Sequence, residues 1–255
     1  MNKFSPIGFF DSGLGGISVL REAVKLLPNE NYIYFGDSAN APYGVKSANE
    51  VRLLAEKGAE ILIAKGVKAI VIACNTATSA GVDFLRNKYT DIPIIGVEPA
   101  LKPAVEHFPQ GRILIMATEM TLKEEKFQAL WKHYGQNAEI IPVPCPGLMN
   151  FVENGIFSGY ELDSYLHDKL DIHTKKPVDA IVLGCTHYPF LKDGISEIVG
   201  NNTLIFDGGE GTSRQLKRKL EEAKLINTNN EKGSVTFINS STDERLIKLS
   251  KDLIL

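Results

Sequence analysis

The chain has 255 residues, 44% of them hydrophobic, and a formal net charge of −3. That length holds one large α/β domain or two small ones with real cores, and the balance of charge gives no sign of a nucleic-acid partner or a charged tail. No run of about 18 apolar residues marks a membrane span, no secretory signal precedes the first apolar segment, and three cysteines make no disulfide framework; the expectation is a cytoplasmic protein with free thiols.

In chain order, residues 7–10 read as the first strand, apolar throughout as a strand buried on both faces would be. Asp11-Ser-Gly-Leu-Gly-Gly16 follows and opens a helix. It is neither a dinucleotide fingerprint nor a phosphate loop. Two readings stay open for it: a tight strand-to-helix turn, or small residues that let a carboxylate approach helix N–H groups. Residues 32–35 form a second strand, with Asp37-Ser38 and Ala41-Pro-Tyr-Gly44 in a loop at its carboxyl end. Ser47 and Glu50 make a capping-box pattern, and Val51, Leu54, Gly58, Ile61 and Leu62 follow at helical spacing. Residues 69–73 and 93–97 are further strands. Prolines then interrupt the pattern near residues 98–103. Strands follow at 113–116, 140–143, 180–183 and 203–206, and a tail carries a helix (212–223), a strand (235–239) and a last helix (243–253).

An internal repeat organises this alternation. Val67-Lys-Ala-Ile-Val-Ile-Ala-Cys74 recurs as Val178-Asp-Ala-Ile-Val-Leu-Gly-Cys185, each a buried strand ending on a cysteine with a threonine close behind, Thr76 or Thr186. The upstream strands correspond in the same order. The pattern predicts an α/β fold of two pseudo-symmetric parallel-sheet domains with helices on both faces and right-handed crossovers. Residues 1–98 plus 210–255 make the first domain and residues 99–209 the second. The tail is too small to fold alone and is expected to pack back on the first domain.

Ligands of open parallel sheets bind beyond the carboxyl ends of the strands, so both repeat cysteines are expected at a cleft between the halves, one on each side of a ligand. Inverting a stereocentre requires removing a proton from one face of an α-carbon and returning one to the other. Two thiols suit the task, because a free pKa near about 8.5 lets each serve as base or acid. The opposing reading, buried core cysteines, is the better one for a lone strand-end cysteine and weaker for a matched pair followed by Asn75-Thr76 and Thr186-His187. Cys145, in a Pro-Cys-Pro stretch, is read as structural, or near the site without acting in it. A zinc site built on Cys185, His187 and Cys74 lacks the tight ligand pairs such sites show, and no metal is expected. An amino-acid binding protein has no need of two thiols. A cysteine hydrolase on Cys185–His187 leaves Cys74 unexplained. Asp11 is a candidate to hold a substrate ammonium or to orient a base, and His187 to assist Cys185 or bind substrate.

Phe10-Asp-Ser-Gly-Leu-Gly-Gly16, Tyr34-Phe-Gly-Asp-Ser38, Ala41-Pro-Tyr-Gly44, Ala73-Cys-Asn-Thr-Ala-Thr78 and Gly184-Cys-Thr-His-Tyr-Pro189 together resemble the glutamate racemases of the aspartate/glutamate racemase superfamily, in order and over nearly the whole chain. The resemblance implies interconversion of L- and D-glutamate without pyridoxal phosphate or metal, supply of D-glutamate for peptidoglycan and hence cell shape, and a homodimer. It implies that Cys74 deprotonates D-glutamate and Cys185 L-glutamate, with Asp11 and His187 assisting. Ser12, Pro42, Tyr43, Gly44, Asn75, Thr76, Thr118, Thr121 and Thr186 match substrate-contacting positions, and Glu153 matches an acidic site residue. Glu119 and Met120, beside Thr118, and the segment Asp207-Gly-Gly-Glu210 depart from the usual pattern, and no role is assigned to them. The chain starts without the longer N-terminal stretch of members activated by a peptidoglycan precursor, so no such activation is expected. Aspartate remains the alternative substrate, although an acidic residue more often follows Cys-Thr in aspartate racemases.

Overall fold

A computed structural model describes residues 2–123, 125–134 and 137–254. Two compact units divide the chain, Met1–Glu98 with Gly209–Leu255, and Pro99–Gly208. In chain order the first unit runs β1 (Ile7–Asp11), α1 (Ile17–Leu26), β2 (Tyr32–Gly36), α2 (Ala48–Ala64), β3 (Ala69–Ile72), α3 (Asn75–Lys88) and β4 (Ile94–Gly96). The second runs α4 (Leu101–His107), β5 (Arg112–Ala117), α5 (Glu119–Lys123), α6 (Glu125–Tyr134), β6 (Glu139–Pro144), α7 (Leu148–Glu153), α8 (Tyr160–Thr174), β7 (Ala180–Leu183), α9 (Lys192–Val199) and β8 (Leu204–Asp207). The chain then returns to the first unit with α10 (Gly209–Glu222), β9 (Val235–Asn239) and α11 (Glu244–Leu253).

Both sheets are parallel throughout. The first has strand order β4-β3-β1-β2-β9 and the second β6-β5-β7-β8. Read from β5 to β8, the second sheet repeats the order of β1 to β4, so the internal repeat of the sequence is a repeat of topology. The tail strand β9 extends the first sheet beyond β2, pairing Tyr32 with Val235 through Gly36 with Asn239.

Strands β1, β3 and β7 are buried along their whole length, and β5 from Ile113 onward, because helices cover both faces of each sheet. In the second unit Leu114, Met116, Ile181 and Leu183 face a cluster with Leu148, Val152, Leu162, Leu166 and Ile195 from α7, α8 and α9. Their alternating neighbours Ile113, Ile115, Ala180 and Val182 face Leu101, Ala104, Leu122 and Phe127 from α4, α5 and α6. In the first unit the same alternation places Phe10 against Gly58 of α2. Phe9 sits on the opposite face against Tyr32, whose hydroxyl donates to the carbonyls of Ala23 and Leu27 at the end of α1. The Ser47–Glu50 capping box forms at the start of α2 as its spacing predicts.

At the amino-terminal edge of the first sheet, a fully buried ion pair joins Lys68, just before β3, to Glu30, just before β2. Lys68 also donates to the carbonyl of Lys3, and the second oxygen of Glu30 accepts from Asn227 N–H at 2.8 Å. Asn227 in turn reaches the carbonyl of Asn29 at 2.6 Å. Glu30 therefore ties the segment leading to β9 onto the strand it pairs with. Removing one partner of such a pair leaves the other charge buried without compensation, at a cost of roughly 3–5 kcal/mol. Glu30→Ala is expected to lower stability by about that amount, and Glu30→Ala combined with Lys68→Met to lose much less than the sum of the two single changes. Urea denaturation of the four proteins measures the coupling, and simple additivity would count against it.

Candidate active site

The residues singled out from sequence gather at the carboxyl ends of the strands within each unit. In the first, β1 ends on Asp11, which is fully buried and accepts the N–H of Gly13 at 2.8 Å through its side chain. The backbone of Asp11 accepts from Asp37 N–H at 2.9 Å, and that of Phe10 accepts from Ala73 N–H at 2.7 Å, so the ends of β1, β2 and β3 are locked together. Helix α1 starts hard against them: a side chain at Gly16 would come within 2.7 Å of the Asp11 β-carbon and 2.9 Å of the Ala73 β-carbon. The glycine loop is thus a close approach of a helix start to the strand ends.

Cys74 lies two residues past the end of β3 and is the N-cap of α3. Its backbone is extended (φ −111°, ψ 121°), and its sulfur accepts from Ala77 N–H at 3.5 Å. The thiol also meets the Ser12 hydroxyl at 3.5 Å. A sulfur in this position faces the unpaired N–H groups of a helix start, where negative charge is favoured. Asn75 and Thr76 follow, both buried. Asn75 Oδ1 has no hydrogen-bond partner among the described residues. A buried acceptor left open in this way is costly unless a ligand fills it.

The loop after β2 brings Tyr43 to the same end. Its buried hydroxyl donates to Asp37 at 2.6 Å, Asn40 donates to the same carboxylate, and its ring packs on Phe10. Burial first, then Asp37, then the charges of Cys74 and Asp11 hold the Tyr43 hydroxyl far above the ordinary phenol range. It is a fixed donor beside Cys74. Pro42, after a cis peptide bond, is exposed, and Gly44 is half-buried.

In the second unit Cys185 follows β7 by one glycine. Gly184 N–H donates to the carbonyl of Met116 at 2.7 Å, and a side chain there would come within 2.8 Å of the Ala117 β-carbon. The Cys185 sulfur stands 3.6 Å from His187 Nδ1, and His187 Nε2 stands 2.7 Å from a carboxylate oxygen of Glu153 at the end of α7. Burial of the ring pushes the His187 pKa down, but the bonds to Cys185 and Glu153 outweigh it and hold it well above the ordinary imidazole value. Glu153 thereby gains a place the sequence alone does not give it: it holds His187 against Cys185 from a helix 34 residues away. Thr118 accepts from Thr121 N–H at 3.2 Å and donates to the Thr121 hydroxyl at 3.0 Å, fixing the turn after β5. Thr186 is buried beside Cys185.

The two thiols differ in one respect that the repeat conceals. Cys74 caps an α-helix, whereas a 3-10 turn, Tyr188–Leu191, follows Cys185 before α9 begins. Pro189 within that turn has no N–H to give, so the bonding steps back every three residues, from Tyr188 to Cys185 and from Phe190 to His187. Cys145 is buried after β6, and its thiol donates to the carbonyl of Val143 at 3.3 Å. Burial first, and then the charge of Cys185, push its pKa up to about 12, so it stays a neutral thiol. Among the described residues no group of three or more His, Cys, Asp or Glu is arranged to hold a metal ion, and no helix is long and apolar enough to cross a membrane.

Sequence reasoning passed over Tyr188. It is fully buried, and its hydroxyl donates to the carbonyl of Cys145 at 3.0 Å. Its signal was its place three residues after Cys185.

The sequence matches the family described as Asp/Glu/Hydantoin racemase over residues 12–213. A glutamate racemase of Clostridium botulinum (strain Alaska E43 / Type E3) is 55% identical over 252 residues, 99% of this chain and 98% of the relative. Among solved structures, glutamate racemase from Francisella tularensis subsp. tularensis SCHU S4 in complex with D-glutamate matches with a TM-score of 0.84 at 30% identity, covering 99% of this chain and 94% of that one. Escherichia coli glutamate racemase in complex with L-glutamate and the activator UDP-MurNAc-ala matches with a TM-score of 0.84 at 27% identity, over 98% and 95% of the two chains. On this likeness along nearly its whole length, the protein belongs to the Asp/Glu/Hydantoin racemase family, in its glutamate racemase branch, and is an amino-acid racemase.

Proposed function

We propose that this enzyme interconverts L- and D-glutamate by a two-base proton transfer, with Cys74 and Cys185 acting on opposite faces of one α-carbon, and that it supplies D-glutamate for peptidoglycan. The observation that carries the reading is that each sheet presents a thiol at the same strand end, each with partners suited to a thiolate: Ala77 N–H and Ser12 for Cys74, His187 for Cys185. The solved relatives that bind D-glutamate and L-glutamate support glutamate as the substrate.

In one direction the Cys74 thiolate takes the α-proton of D-glutamate while the Cys185 thiol gives one to the other face, and the reverse turnover exchanges these roles. Neither transfer calls for pyridoxal phosphate or a metal, because the thiols carry both protons. The α-proton is a weak acid, so the barrier falls chiefly through donors placed on the substrate carboxylates and through exclusion of water. Ser12, Thr76, Thr118, Thr121 and Thr186 supply such donors, with Tyr43 and the loop at Pro42 and Gly44 beside Cys74. The open Asn75 Oδ1 accepts from the substrate ammonium. Asp11 holds the start of α1 and the charge around Cys74. Glu153 keeps His187 charged and aimed at Cys185.

Turnover in heavy water tests the chemistry. Product from either enantiomer gains one deuterium at Cα, and Cys74→Ala and Cys185→Ala each abolish racemisation; normal turnover by either variant would discard the two-thiol mechanism. A substrate panel in which aspartate turns over faster than glutamate would overturn the choice of substrate.

The pairing of His187 sets a sign for pH dependence. Because its pKa in the folded state is raised, the stability it contributes is complete below the unfolded value near about 6.5. That stability is lost as pH climbs through the folded value. Glu153→Gln removes one of the interactions that raise it. The alkaline limb of the kcat/KM profile should therefore move to lower pH, and kcat/KM at neutral pH should drop by roughly tenfold or more. A profile that keeps its alkaline limb in place would show that Glu153 does not govern the charge on His187.

A further inference from the structure

The tail strand β9 ends beside the loop that follows β2, and side chains at its end hold that loop. The pairing of β9 with β2 runs to Gly36 opposite Asn239, and Ser240 N–H then donates to the Gly36 carbonyl at 3.0 Å. Past this point side chains take over from backbone. Asn239 Nδ2 donates to the Ser38 hydroxyl at 3.0 Å, and the Ser240 hydroxyl accepts Ala39 N–H at 3.0 Å. Ser38–Asn40 is a single 3-10 turn, and the first N–H groups of a helical turn find no acceptor within it. A serine 201 residues away along the chain provides one. Asn239 is itself fixed. Its Oδ1 accepts Ser241 N–H at 2.8 Å, and the Ser241 hydroxyl accepts the N–H of Asp243, the cap of α11, at 3.1 Å.

The held turn carries the support of Tyr43. Asn40 Nδ2 donates to both oxygens of Asp37, at 3.0 and 3.1 Å, and the Tyr43 hydroxyl donates to the same carboxylate at 2.6 Å. The next turn, Tyr43–Val45, packs on α3, the helix that Cys74 caps. Fixing Ser38 and Ala39 therefore fixes the carboxylate that orients Tyr43. The other hold on this segment, Asp37 N–H to the Asp11 carbonyl at 2.9 Å, lies within the repeated strands. In the second sheet β6, the counterpart of β2, is an edge strand among the described residues. The repeat by itself thus provides no strand in the place of β9.

We propose that Asn239 and Ser240 are positioning residues for substrate binding: by returning from the second unit, the chain sets the loop that bears Pro42, Tyr43 and Gly44 in its binding form. This rests on the reading that the loop contacts the substrate. Ala39, Asn40 and Pro42 are exposed, and a loop that must be ordered when ligand arrives weakens affinity by the cost of ordering it. Side chains from another element that order it in advance remove that cost. Neither Asn239 nor Ser240 takes part in the proton transfer, so the effect falls on KM and not on kcat.

The test uses the full-length enzyme with Asn239→Ala and Ser240→Ala, singly and together. Hydrogen exchange read by mass spectrometry should quicken in the peptide covering residues 37–44 and stay unchanged in β1 and β3. In the doubly altered enzyme KM for both D- and L-glutamate should rise by roughly fivefold to tenfold, with kcat within about twofold. Ser240→Thr keeps the hydroxyl and should match the unaltered enzyme. Ser38→Ala added to Asn239→Ala should raise KM no further than either change alone, because both remove the same bond. These last two comparisons decide the matter if the doubly altered chain folds poorly. A KM within about twofold of the unaltered value in the double variant, a loss confined to kcat, or additive effects of Ser38→Ala and Asn239→Ala would each overturn the role of the tail. Failure of the unaltered chain to exchange the α-proton of glutamate would overturn the proposed reaction instead, so the two failures are told apart.

Discussion

A sulfur that must act as a base in one half of a reaction and as an acid in the other needs neighbours that tolerate both its states. On the two-thiol reading proposed above, that requirement accounts for the strand ends of both sheets. Around Cys74 it is met by a backbone N–H at the start of α3 and by the Ser12 hydroxyl, which can donate or accept. Around Cys185 it is met by an imidazole that Glu153 keeps charged. None of these partners belongs to the strand that carries the thiol. Each is delivered by the turn or helix that follows the strand, by a neighbouring helix or, for Ser12, by the loop after β1, and each depends on the parallel sheet to hold those segments at one end.

The repeated topology explains why two such thiols exist and why they are not copies of one another. Strands β1 to β4 and β5 to β8 follow the same order, and Lys68 and Asp179 occupy the same step before β3 and β7. Both use that step to tie down the amino-terminal edge, Lys68 by a buried ion pair and Asp179 by accepting Arg112 N–H at 2.7 Å. At the carboxyl edge the halves diverge. A helix start stabilises negative charge through fixed dipoles that do not titrate. A histidine paired with a glutamate stabilises it through a titratable proton of its own. The two strand ends thus differ in whether the group that faces the thiol can itself titrate.

Much of this was legible in the sequence because it is written locally. Runs such as Val67-Lys-Ala-Ile-Val-Ile-Ala-Cys74 leave no choice but a strand buried on both faces, and every strand read from such runs is present. The Ser47–Glu50 box was visible because its two residues are three apart. What escaped depends on distance along the chain. Nothing near Glu153 announces His187, and a lysine and a glutamate at positions 68 and 30 look like surface charges until folding encloses them. The 3-10 turn after Cys185 escaped for a different reason. The parallel with Cys74 suggested a helix cap, and the single proline at 189 overrules it by withholding one N–H. Tyr188 escaped because a buried tyrosine beside a functional residue reads as packing until its hydroxyl is given a partner.

Mirror-image substrates place one more constraint on how such a site can be tuned. L- and D-glutamate have equal free energy in water, so the equilibrium constant for their interconversion is one. The values of kcat/KM in the two directions must then be equal, whatever the enzyme does to its thiols. A change confined to the partners of Cys185 cannot favour one direction over the other in kcat/KM. It can only redistribute the effect between kcat and KM, by changing which protonation state of the free enzyme predominates and how tightly each enantiomer is held by it. Unequal thiols are therefore no handicap to a racemase. The imidazole and the glutamate behind it are free to set the resting proton inventory of one sulfur, while fixed dipoles set that of the other, and the net chemistry remains reversible to the same degree from either side.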